Sequence, residues 1–254
     1  MKRIAAVVVA TALALTACSA SAPDQRPPGT SQPNPAPGAG PGPKTSAPYA
    51  FGTVQQKAPA IENGQVPVVR RITTDKPYVF LTMDDGAVKD PDALKLMQQN
   101  GTHPVLFLNE KYVKGHEAYF KQILDATGAT LGDHTVDHPN LKGKPFEFQR
   151  QEICADADDF QQSLGVRPSL FRPPFGNYDQ ITLRAAAACG MRVAVLWTAA
   201  VNDGHVQFQA GDKLKPGDIV LMHFRKTFRE DYTAFVEQAK KDGLTPVPLA
   251  DFLG

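Results

Sequence analysis

The 254-residue sequence has no apolar run long enough to cross a bilayer. The longest, Ile4 to Thr16, would rise only about 20 Å as a helix, against a hydrocarbon core of about 30 Å. Charge of one sign is also missing, with 27 Lys and Arg against 26 Asp and Glu, so no basic excess draws the chain onto nucleic acid. Between residues 19 and 48 apolar side chains are nearly absent, and nine of the 22 prolines fall there. Such a stretch cannot bury enough surface to offset chain entropy, which excludes it from a packed core. Cysteine is scarce: beyond Cys18 only Cys154 and Cys189 occur.

What is present begins with Lys2 and Arg3 ahead of that short apolar run, followed by small residues. This is the pattern of an export signal over residues 1–17. It closes on "LTAC", which resembles the bacterial lipobox, and the resemblance implies lipidation of Cys18 and anchoring at the outer face of the cell membrane. Residues 18–65 then read as the anchor cysteine and a Pro/Gly-rich tether. In an exported chain Cys154 and Cys189 can pair, but both fall in helical segments and two separate thiols fit the sequence equally well.

From residue 66 to 254, short β-rich runs alternate with amphipathic helical patterns. Strands are expected at 78–83, 104–108, 129–132, 169–171, 192–197, 218–224 and 245–249. Helices are expected at 91–100, 116–127, 146–164, 180–189 and 230–242. The alternation argues for one α/β domain with a mainly parallel sheet, either open or closed into an incomplete barrel. Ligands then gather at the C-terminal strand ends.

The strand "YVFLTM" ends on adjacent carboxylates, Asp84 and Asp85. Like charges there need a cation or two separate roles. After the third strand, "HTVDH" spaces His134 and His138 at i and i+4, able to share a metal with Asp85. "RPPFG" places Arg172 on a strand end before a stiff turn that fixes the Phe175 N–H, and "LMH" puts Leu221 and His223 at the end of an apolar strand. His103, His116 and His205 belong to no such pattern and read as surface or structural. Tyr178 and Trp197 read as packing residues, with Trp197 also a candidate for stacking on a sugar ring.

Taken in order, "TMDDG", "HTVDH", "RPPFG" and "LMH" resemble four of the five motifs of the polysaccharide deacetylases that share the NodB homology domain, carbohydrate esterase family 4. The resemblance implies a distorted (β/α) barrel. It implies Asp84 as catalytic base paired with Arg172, and Asp85, His134 and His138 as ligands of a divalent metal. It further implies the Phe175 N–H at the oxyanion, Leu221 in the acetyl pocket and His223 as general acid. The fourth motif, commonly D-x-x-D-W, departs: Ala200 and Gly204 replace the first aspartate and the tryptophan, leaving Asp203 to hydrogen-bond His223.

The implied activity is metal-dependent hydrolysis of N-acetyl groups on N-acetylglucosamine-containing glycans, peptidoglycan or chitin-like oligomers, at the cell surface. The donor set favours Zn²⁺, with Co²⁺, Ni²⁺ or Mn²⁺ as alternatives. The expected partners are an acetylated glycan and the membrane. An O-acetyl esterase of the xylan type and a non-catalytic glycan-binding lipoprotein are the rival readings. A non-haem iron oxygenase lacks its usual H-x-D spacing here.

Overall fold

The computed structural model describes Tyr49 and residues 51–254. The export signal, Cys18 and the tether as far as residue 48 lie outside the described residues. Among the described residues no helix is long and apolar enough to cross a membrane.

In chain order the elements are β1 (Val68–Val69), β2 (Tyr78–Asp85), α1 (Ala93–Asn100), β3 (Val105–Leu108), α2 (Glu110–Val113), α3 (Glu117–Thr127), β4 (Thr130–Asp133), α4 (Phe146–Ser163) and β5 (Leu170–Phe171). There follow α5 (Gln180–Ala188), β6 (Val193–Val195), β7 (Ala199–Asn202), β8 (His205–Phe208), β9 (Ile219–His223), α6 (Phe228–Lys241) and β10 (Thr245–Pro246). All seven expected strands and five expected helices are found, most of them shortened at their ends. The β7–β8 hairpin, β1 and α2 are additional to those expected. β7 alternates buried with half-buried residues and β8 exposed with half-buried ones, weak contrasts over four residues each, and β1 and α2 are too short to carry a period.

The strands run β1-β6-β5-β4-β3-β2-β9-β7-β8, with β10 added to β2, and all pairings along this path are parallel except β7 with β8. The path does not close, so the sheet curls into a half-barrel, as the distorted-barrel expectation holds. β2 lies at its centre, buried on both faces, which is why its sequence reads as a continuous apolar run. Its side chains divide by the two-residue period of a strand. Val79, Leu81 and Met83 join the core cluster that includes residues of α1, α3 and α6, while Phe80 joins the second cluster with Phe107 and Val195. Register then places Asp84 beside both Phe107 and His223, Leu108 beside Asp133, and Asp133 beside Phe171. The polar strand ends therefore form one layer.

Two further features bear on the sequence reading. Tyr49 and residues 51–58 dock on the C-terminal segment. Asp251 Oδ2 accepts from the Tyr49 hydroxyl (2.8 Å) and the Gly52 N–H (3.1 Å), the Asp251 carbonyl accepts from the Gln55 N–H (2.6 Å), and the Tyr49 ring meets Tyr78 and Phe252. Aromatic contacts and paired backbone groups give this stretch what the residues before it lack. The open question of the cysteines is settled by a disulfide between Cys154 on α4 and Cys189 at the end of α5. The bridge spans 35 residues. Removing it as C154S/C189S is expected to lower the unfolding free energy by about 4 kcal/mol in the chain-entropy account, as read by chemical denaturation.

Candidate functional site

Successive strand residues point to opposite faces, so Asp84 and Asp85 could not both reach one site if β2 stayed regular. Asp84 follows the Phe80–Thr82 face into the barrel, where it is 3% exposed. Asp85 turns to φ 72°, which breaks the alternation and brings its carboxylate round to the same side. The glycine after it is required: a Cβ on Gly86 would lie 2.9 Å from the Phe120 ring.

Inside the barrel Arg172 is completely buried. Its Nη1 donates to Asp84 Oδ1 (2.6 Å) and Thr82 Oγ1 (2.8 Å), its Nε donates to the Val195 carbonyl (3.0 Å), and its guanidinium lies 4.3 Å from the Phe107 ring centre. Burial pushes the Asp84 carboxyl above its ordinary value, while Arg172 and then His223 pull it back. A carboxylate held ionised by a guanidinium, yet more basic than one in water, is suited to taking a proton near neutral pH.

His134 and His138 stand on the loop after β4. Asp85 Oδ1 is 3.7 Å from His134 Nε2 and 3.5 Å from His138 Nε2, and the three donor atoms lie within 4.8 Å of one another. These are not ion pairs on the His134 side, because burial lowers the His134 pKa to about 3 and keeps the ring neutral. Its Nδ1 faces the Arg172 carbonyl at 2.7 Å, which assigns the proton to Nδ1 and leaves Nε2 as a lone pair aimed at carboxylate oxygens. Acceptor facing acceptor is unfavourable unless a cation lies between. Tetrahedral zinc with bonds of about 2.0–2.1 Å sets its ligands about 3.3 Å apart, so the donors fit a divalent metal after small adjustment.

Behind this triad lie three residues that no sequence motif marks. Asn109, wholly buried, donates through Nδ2 to the His134 and Thr135 carbonyls. Asp156 on α4 accepts from the His134 N–H (3.3 Å) and the Glu110 N–H (2.7 Å), and Asp133 accepts from the Thr135 N–H (3.1 Å). Burial raises the pKa of both aspartates well above the ordinary value, Asp156 further by its proximity to Asp133. A signal for Asp156 does exist in the helical pattern. It falls on the buried stripe of α4 with Ile153, Ala157 and Phe160, where an acid has no reason to be unless it is hydrogen-bonded.

The remaining candidates divide. Phe175 stands beside His138, ring centres 4.6 Å apart, and Leu221 is buried on β9. Asp203 does not reach His223. It occupies the exposed two-residue turn of the β7–β8 hairpin at φ 51°, and Asp231 of α6 holds that turn by accepting from the Gly204 N–H (2.8 Å). His223 Nδ1 is buried with no partner, and burial lowers the His223 pKa to about 4. Trp197 is half-buried against the Arg172 guanidinium and the Gly176 turn.

Two outcomes follow from this geometry. D156N should weaken zinc binding about 10- to 100-fold by calorimetry, because one of the two oxygens that accept from the Glu110 and His134 N–H groups becomes an amide NH2 that cannot accept. The unfolded chain takes up a proton at His223 near pH 6.5 and the folded one only near pH 4, so this stability is complete above 6.5 and lost as pH falls towards 4. The stability difference between metal-free wild type and H223Q should therefore shrink over that window, by on the order of 2–3 kcal/mol in denaturant titrations.

Residues 71–194 match the family model for polysaccharide deacetylase. An uncharacterised protein of Streptomyces coelicolor is 46% identical over 158 residues, covering 61% of this chain and 63% of that one. The bifunctional xylanase/xylan deacetylase of Cellvibrio japonicus is 28% identical over 58% of this chain and only 23% of its own length. A peptidoglycan-N-acetylglucosamine deacetylase of Bacillus cereus is 26% identical over 73% of this chain and 92% of its own. The chain thus spans less than two thirds of the first two relatives. Among solved structures, a wild-type carbohydrate esterase family 4 pseudoenzyme from Bacillus anthracis shares the fold at a TM-score of 0.63 and 22% identity, covering 73% of this chain and 68% of that one. With the half-barrel and its strand-end site already in view, residues 71–194 of this chain match a polysaccharide deacetylase domain, and the fold is that of the solved carbohydrate esterase family 4 structure.

Proposed function

We propose that the chain hydrolyses N-acetyl groups of N-acetylglucosamine-containing glycans, peptidoglycan or chitin-like oligomers, at the outer face of the cell membrane, where lipidated Cys18 and the tether would hold it. The observation that carries the chemistry is the meeting of the Arg172–Asp84 pair with the Asp85, His134 and His138 donors at one strand-end layer. A divalent metal bound there, zinc by its donor set, would polarise the acetyl carbonyl and acidify a water. Asp84, its Oδ1 engaged by Arg172, takes the water's proton. The Phe175 N–H, which has no partner among the described residues, donates to the carbonyl oxygen as it gains charge. In this reading Leu221 offers an apolar wall to the acetyl methyl, and His223 returns a proton to the departing nitrogen. The curated relatives that act on peptidoglycan and on chitooligosaccharide support the glycan class.

The site also supports a second reading. With Asp203 turned away, His223 Nδ1 has no hydrogen-bond partner and burial outweighs the nearby Asp84 charge that would favour its charged form, and an amine leaves poorly without protonation. An O-acetyl ester makes less demand on that acid, and one relative is a xylan deacetylase.

Acetate release from N-acetylglucosamine oligomers, peptidoglycan and acetylated xylan, assayed with zinc, should fall at least about 100-fold in D84N and be abolished by chelation. H223A should depress amide hydrolysis far more than ester hydrolysis. Acetate from xylan alone would select the ester reading, and bound metal without acetate from any substrate would leave a glycan-binding protein.

A further inference from the structure

We infer that the Phe175 side chain is a stacking platform for a pyranose ring of the glycan chain next to the acetylated sugar. The inference rests on the proposed glycan reading and adds a residue that sets how the polymer is held. Six large apolar side chains are exposed among the described residues: Phe51, Val54, Ile61, Phe148, Val166 and Phe175. Of these, Phe175 is the one whose ring meets a donor of the metal cradle, lying 4.6 Å from the His138 ring at 72°. It is 62% exposed, so the contact with His138 leaves most of the ring open to solvent.

The backbone does not require an aromatic residue there. Phe175 has φ 61° and ψ 6°, a left-handed conformation that glycine adopts freely and that disfavours a bulky side chain. The conformation is fixed from both sides. Pro173 and Pro174 precede it, the Gly176 N–H donates to the Pro173 carbonyl (2.9 Å), and the Asn177 N–H donates to the Pro174 carbonyl (3.1 Å). Gly176 presses on Trp197, where an added Cβ would lie 2.9 Å from the indole. The ring is thus rigidly presented, strained and unburied, and contributes little to any core.

The apolar C–H face of a pyranose matches such a ring, whose electron-rich face attracts those polarised hydrogens. Trp197 is poorly placed for this, being half-buried against the Arg172 guanidinium.

The test compares the full chain with F175A, F175L and F175Y, each checked for bound zinc by elemental analysis, on the pentamer and dimer of N-acetylglucosamine. In F175A, kcat/KM on the pentamer should fall about 5- to 10-fold further than on the dimer, with the extra loss in KM. F175Y should restore it and F175L should not. Calorimetry with the pentamer gives a readout that needs no turnover, and F175A should weaken binding by the same factor. Equal losses on both oligomers, or full rescue by F175L, would overturn the platform. If wild type binds the pentamer in a Phe175-dependent way but releases no acetate, the proposed activity falls and the platform stands. If wild type does not bind the pentamer, the platform falls.

Discussion

The site depends on one buried ion pair. Arg172 is fully enclosed and Asp84 nearly so, and neither charge could remain in the barrel without the other. Removing a single partner from such a pair typically costs about 3–5 kcal/mol, because the survivor is left charged and dry. Arg172 is held besides by the Val195 carbonyl, the Thr82 hydroxyl and the Phe107 ring. Its own carbonyl accepts from His134 Nδ1. One residue thereby sets the charge of Asp84 through its side chain and the tautomer of His134 through its backbone.

Around that pair, exposure is graded. The side chains of Asp84 and His134 are 4% and 2% exposed, whereas those of Asp85 and His138 are 24% and 22% exposed. Groups whose protonation must be controlled lie inside, where burial and neighbours control it. Two of the three donors that would meet a metal, Asp85 and His138, lie at the rim, and His134 reaches it from inside. Asn109, Asp133 and Asp156 form a further layer that ties the His134 loop to β3 and α4.

Much of this is legible in the sequence because local and global signals agree. The apolar run of β2 ends where charge begins, and the H-x-x-x-H spacing sits after an expected strand end, so pattern and spacing alone group Asp84, Asp85, His134 and His138. Arg172 is marked by its proline turn. Legibility fails where a motif degenerates. Asp203 matches a motif position, but the Asp203–Gly204 pair serves as a hairpin turn, and a turn dipeptide flanked by weakly patterned strands outweighs a partial motif. The docking of Tyr49 on Asp251, some 200 residues away, is likewise a long-range contact that no local pattern reports.

Six non-glycine residues of the described chain adopt positive φ, and Asp85, Thr135, His138 and Phe175 are four of them. Each such residue stores on the order of 1–3 kcal/mol of backbone strain, and here the strain is concentrated around the reacting groups. Selection for thermal stability alone would favour glycine at all four positions, relaxing the backbone while deleting two metal donors, a loop hydroxyl and the exposed ring. The strain is thus the cost of presenting side chains where the backbone alone would prefer none.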